Sequence, residues 1–308
     1  MKRPSFTLFL FMAGIVFLYI PILWLIVYSF NKSQFVPLWG GFSFRWYGVF
    51  FHNAMMMAAA KRSLEIALTA ASCAVVLGTM AGYALARMGN FRTRWLFSGM
   101  ITAPLVMPDV ITGISLLLMF IAMSTFLGWP KNRGMTTIAL AHITFCTSYV
   151  TIVVQSRLVA MDRALEEAAM DLGSTPFRVL LDITLPIISP AMLSGWLLAF
   201  TMSLDDLVIS TFVAGPGSTT LPLLIYSEVK LDVKPDVNAL ATIVITVVTI
   251  GTVIAGFIMH RREKKRVRDE QMAFSEIENY RSPSMRNLNI MQNGEMSDGK
   301  SLSVETTV

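Results

Sequence analysis

The chain has 308 residues, 54% of them hydrophobic and only 15% charged, with a formal net charge of +5 and a mean hydropathy of +0.60. Soluble domains carry about 25% charged residues, and lipid excludes charge, so this composition argues against a water-soluble globule and for a polytopic, all-α membrane protein. Many of the basic residues sit at the ends of apolar runs, where membrane topology places them, so the positive balance does not indicate a nucleic-acid surface.

Lys2 and Arg3 precede an apolar run over residues 6–30. A cleaved signal peptide has an apolar core of about 7–15 residues; this run is longer and reads as a signal anchor and first span, kinked at Pro21. Residues 31–61 are rich in aromatics, Trp39, Trp46 and Tyr47 among them, and are predicted to be a loop along the outer interface. The second span, residues 63–86, is dense in alanine and carries Gly78 and Gly82 as a G-x-x-x-G pair, a small face that lets helices approach closely in lipid. Glu65 is placed near its outer end. Arg87, Arg92 and Arg94 form a short basic loop.

The apolar stretch 96–127 is too long for one straight span. Pro104 and Pro108 each remove a backbone donor, so a bent or broken helix is expected, with Asp109 directly after the second proline. Residues 128–134 form a tight turn. The fourth span, 135–155, holds His142, read as a hydrogen-bonded packing residue because no second histidine or carboxylate lies three or four positions on. A polar elbow follows over 157–186. The fifth span, 187–213, is interrupted by Ser203-Leu204-Asp205-Asp206. An outer loop with Glu228 and Asp232 leads to a sixth span, 237–259, and a basic stop over 261–268. The chain thus divides into a six-span membrane domain, 1–268, and a polar tail, 269–308, whose composition predicts disorder. Cys73 and Cys146 fall inside apolar runs, and neither a disulfide framework nor a metal spacing is expected.

Six spans put both termini on one side. Inside segments, counted to Arg268, then hold 14 Lys and Arg against 8 outside, which makes the termini and the elbow cytoplasmic.

Within the elbow, Asp162 is expected to cap a first short helix, with Glu166 and Glu167 at its positive end. Gly173 stands where a left-handed C′ residue is needed. Thr175 is expected to cap a second helix with Pro176 at its first position, and Leu185-Pro186 to end that helix. Ala168 and Ala169 leave a shallow surface for another protein. Glu167-Ala168-Ala169, Gly173, Ile183 and Leu185-Pro186, at these intervals and before the penultimate span, resemble the E-A-A loop of ABC-importer permeases. The resemblance implies the six-helix type I importer (MetI-like) fold and makes this loop the element that docks into a cytoplasmic ATPase. Glu166, Glu167, Ala168, Ala169, Gly173, Pro176, Leu185 and Pro186 are the residues it assigns to coupling.

Thr102-Ala103-Pro104-Leu105-Val106-Met107-Pro108-Asp109-Val110, Ser203-Leu204-Asp205-Asp206-Leu207-Val208 and Val237-Asn238-Ala239-Leu240-Ala241-Thr242 are similar to polyamine-importer permeases, above all the second permease subunit of putrescine importers. This covers residues 6–268; the tail departs from the family pattern. The implied assembly has a second permease in a heterodimer, two copies of an ATPase that holds ATP and Mg, and an extracytoplasmic polyamine-binding protein, in a bacterial inner membrane. No cofactor is expected on this chain, which has no G-x-x-x-x-G-K-[ST] loop.

Independently of family, a diamine crossing lipid needs acceptors, and buried acids in spans usually face a cavity. Asp206, Asp205 and Asp109 are the candidates for the substrate path, in that order, the proline kink at Asp109 being mainly structural. The competing reading is that Asp206 or Asp109 pairs with a helix end or an arginine. Two other classes are weighed. A membrane enzyme would need a catalytic set that is missing from the sequence, and a self-sufficient channel or secondary transporter would show internal repeats, of which none is convincing.

Overall fold

The structure is a computed structural model. It describes residues 4–33, 38–231 and 236–254, with residues 256–258, 261, 264, 268, 271, 272 and 275. Nearly all of the predicted tail, and much of the basic stop, lie outside these residues, as do Lys2, Arg3 and Asp232. The chain divides into two compact units, 1–249 and 250–308, and the core and site residues described below belong to the first.

The described residues are helical, with one isolated bridge between Asn31 and Phe42. In order the helices are α1 (Pro4–Tyr28), α2 (Arg45–His52), α3 (Ala54–Arg87), α4 (Arg94–Val106), α5 (Asp109–Leu127), α6 (Met135–Ala160), α7 (Ala164–Asp171), α8 (Pro176–Val179), a π-helical turn (Leu180–Thr184), α9 (Leu185–Asp205), α10 (Val208–Val213) and α11 (Leu221–Leu231). Six helical stretches are long and apolar enough to cross a membrane, the last being Asp236–Ile258. The predicted six-span, all-helical fold is observed.

The core is the packing of α3, α6 and α9. Ala67, Ala70, Ala71 and Ala74 of α3 are wholly buried in it. A Cβ built on Gly78 would lie 2.8 Å from Val150 of α6, and one on Gly195 of α9 would lie 3.2 Å from the same side chain. Val150 therefore fills a hole that two glycines leave. The predicted small face is real, and its partner is α6; close backbone approach replaces the hydrophobic drive that lipid does not supply. By contrast, none of the apolar window of α1 is buried within the chain.

Several predicted boundaries need correction. The loop expected over 31–61 contains α2, and α3 begins nine residues before the predicted span, because Asn53 caps it by accepting from Met55 N and Met56 N and the Met-Ala run that follows favours helix. The outer loop likewise holds α11. Thr175 stands at the start of α8 with Pro176 at N1, but its side chain makes no capping bond. Leu185-Pro186 does not end a helix. The chain stays helical from Pro176 to Asp205, and the π turn at Leu180–Thr184 shifts the register just before Pro186, which has no N–H to give and crowds the carbonyl four residues back.

Candidate functional site

Two helix breaks define the centre of the first unit. Between α4 and α5, Met107 is extended at φ −77°, ψ 137° and Pro108 follows at φ −57°, ψ 139°. A proline forces its predecessor out of the helical region, so the break expected from sequence falls at Met107-Pro108, while Pro104 stays inside α4. Between α9 and α10, Asp206 is extended at φ −64°, ψ 120°. Because α5 packs against α10, the two breaks meet. Non-helical backbone at membrane depth persists only inside protein or beside a cavity, and here there is one of about 300 Å³.

All three predicted acids, Asp109, Asp205 and Asp206, line that cavity, with Phe145 and Tyr149 of α6 and Pro104 of α4. The acids differ in what holds them. The Asp206 carboxylate is heavily used: Oδ1 accepts from Ile209 N at 3.2 Å and Oδ2 from Ser210 N at 2.8 Å, capping α10. Its Oδ2 also lies 3.1 Å from His142 Nε2. An ionised carboxylate only accepts, which places the shared proton on Nε2. His142 Nδ1 then takes the Ser203 hydroxyl at 2.7 Å. His142 is thus a packing residue with both nitrogens engaged, as expected, but its carboxylate comes from the α9–α10 break rather than from its own helix.

Asp109 and Asp205 are exposed to the cavity, and the ion pairs among the described residues involve neither. Asp109 sits in the first turn of α5, where the helix dipole favours negative charge. Asp205 and Leu207 also border a second, larger cleft of about 660 Å³, almost wholly apolar, formed with Tyr226 of α11 and with Val244 and Val248. Asp205 therefore stands between two spaces. The aromatic pair at positions 145 and 149 was not anticipated; its four-residue spacing, which puts both rings on one helix face, was the available signal.

The elbow lies at the C-terminal end of α3, where Arg163 Nη2 donates to Ala86 O at 2.9 Å. Gly173 has φ +89°, the left-handed conformation the sequence demanded, and Ser174 N returns to Ala169 O at 3.1 Å. Asp162 accepts from Ala164 N at 3.0 Å, satisfying the first amide of α7. Glu167, Ala168, Gly173 and Pro176 are exposed, Ala169 and Leu185 half-buried. Leu172 is 88% exposed and Phe177 67%. Both are large apolar side chains that the rest of the described chain leaves uncovered. Glu166 behaves differently: it is buried, 2.8 Å from Arg87 Nε, and accepts from Thr184 Oγ1 at 2.8 Å. Sequence spacing gave no hint of that pair, since its members are far apart in the chain. Among the described residues no group of three or more His, Cys, Asp or Glu could hold a metal ion.

The helical bundle is a fold shared with chains of ABC importers. The chain superposes on one from a bacterial ABC transporter that imports the acidic polysaccharide alginate, with a TM-score of 0.64 at 15% identity over 83% of this chain and 99% of that one. It also superposes on a chain of the inward-facing MetNI methionine ABC transporter, with a TM-score of 0.55 at 14% identity over 67% and 93% respectively. Residues 74–269 match the family model described as binding-protein-dependent transport system inner membrane component, and the chain belongs to that family. It is 55% identical to the putrescine transport system permease protein PotI of Escherichia coli K12, over 88% of this chain and 96% of that protein. It is 42% identical to the spermidine/putrescine transport system permease protein PotC of the same strain, over 81% and 91%.

Proposed function

We propose that this permease carries polyamines, putrescine first, and that Asp205 and Asp109 receive the passing cation while Asp206 braces the α9–α10 break. The observation that carries the reading is the cavity at the two breaks, where exposed carboxylates face Phe145 and Tyr149. An ammonium gains from carboxylates and, by about 0.5–2 kcal/mol, from aromatic faces. One or two acids hold a cation weakly enough to release it, which transport requires. The names of the two curated relatives support the substrate class. The second of them keeps spermidine as the alternative substrate.

The remainder of the assembly follows from the same reading. A second permease completes the path, two copies of a cytoplasmic ATPase dock on the elbow and bind ATP and Mg, and an extracytoplasmic binding protein delivers the cation. Both termini are cytoplasmic. This chain takes no part in ATP chemistry, holds no cofactor and contacts no nucleic acid.

The test is radiolabelled putrescine uptake by the assembled complex at matched membrane levels. Asp205→Asn is expected to cut uptake by about tenfold, the equivalent of one lost charge interaction of ~1.4 kcal/mol, with basal ATP hydrolysis intact. Normal uptake by Asp205→Asn, Asp109→Asn and the double variant would remove these acids from the path. Competition by excess unlabelled spermidine distinguishes the two substrates.

A further inference from the structure

The Arg87–Glu166 pair joins the last turn of α3 to the coupling helix α7, and both side chains are about nine-tenths buried, at 8% and 11% exposure. Buried charges are rare and are kept only where they are paired. The rest of α7 is largely exposed, so its attachment to the bundle is concentrated at this point. Thr184, the last residue of the π turn, donates to the other carboxylate oxygen. Glu166 therefore touches three segments at once: its own helix, the end of α3, and the entry to α9. The attachment is reinforced by Arg163 Nη2, which donates to Ala86 O at 2.9 Å, and by Arg87 Nη2, which donates to Met161 O at 3.4 Å.

The two helices gathered there lead to the cation site. The far end of α9 is Asp205 itself, and α3 packs along both α6 and α9. The Arg87 Nε–H points off the line to Glu166, so the 2.8 Å contact is carried by charge more than by a straight hydrogen bond. Charge without strict direction tolerates small rotations of α7 while keeping it tied.

We propose that Arg87, Glu166 and Thr184 form a charged joint that positions the coupling helix and passes its movement to α3 and α9. Arg87 and Glu166 are positioning residues and make no contact with ATP or the transported cation. The proposal rests on the reading of the elbow as the ATPase-docking element.

The experiment uses the complete transporter in proteoliposomes and measures ATP hydrolysed per putrescine imported. Glu166→Gln and Arg87→Gln are expected to raise that ratio by about tenfold, in the range of coupling energies between contacting residues. The exchanged pair, Arg87→Glu with Glu166→Arg, is expected to bring the ratio back toward wild type. A wild-type ratio in Glu166→Gln overturns the joint, as does an exchanged pair no better than the single variants. A parallel fall of hydrolysis and uptake also overturns it, because that marks loss of assembled complex only. Leu172→Glu, on the exposed face of the elbow, separates the two levels of the argument. If that variant imports normally, the elbow is not the docking element; if it is impaired while Glu166→Gln is normal, only the joint fails.

Discussion

Asp205 and Asp206 are adjacent in sequence, yet their surroundings differ. Asp206 spends its lone pairs on Ile209 N, Ser210 N and His142, so little of it is left for a ligand, whereas Asp205 faces two cavities. The order argued from sequence put Asp206 first; adjacency places such residues about 100° apart on a helix but does not say which direction is the cavity. His142→Leu is expected to destabilise the protein by roughly 1–3 kcal/mol, the cost of leaving buried polar partners unmatched. His142→Gln, which keeps a donor, should cost less. Thermal unfolding of the purified complex in detergent reads the difference, and equal stability of wild type and His142→Leu would show that the network holds nothing together. The three acids were legible in the sequence because charge is conspicuous in an apolar run. The histidine's partner was not, since it lies 64 positions away.

At the scale of elements, α3 is the organising helix. Its 34 residues span about 50 Å at 1.5 Å per residue, more than the ~30 Å of a hydrocarbon core. Its N-terminal end packs with Leu221 and Leu224 of α11, and its C-terminal end carries the elbow. The proline break, the glycine packing face and the two-helix elbow were all readable, because each depends on local backbone chemistry. The length of α3 and the unbroken passage through Leu185-Pro186 were not, because a cap at Asn53 and a π turn decide them. Gly173→Val tests the elbow's backbone. A β-branched residue held at φ +89° carries roughly 1–3 kcal/mol of strain, so uptake should fall sharply while the protein still inserts and accumulates. Wild-type uptake by this variant would mean that the elbow's shape is irrelevant to coupling.

At the scale of the whole molecule, the two ends of the bundle differ in kind. One carries aromatic α2 with α11, the other the arginines around the elbow. Independently of the structure, the charge asymmetry of the sequence, 14 basic residues against 8, predicts a topology with both termini in the cytoplasm. Fluorescent-protein fusions after residue 275 should glow, and alkaline-phosphatase fusions there should be inactive; the reverse pattern inverts the topology.

Span number, the helix break at Pro108, the left-handed turn at Gly173 and the candidate acids were determined by sequence alone. Each follows from a local rule: apolar length, a missing N–H, a positive φ, or a charge where lipid forbids one. Tertiary structure decided which residues meet. It brought Asp109 to Asp205 across two helix breaks, His142 to Asp206, and Arg87 to Glu166. Those contacts depend on the close approach of α3, α6 and α9 over small residues, and which side chains such packing brings together is not encoded in any single stretch of chain.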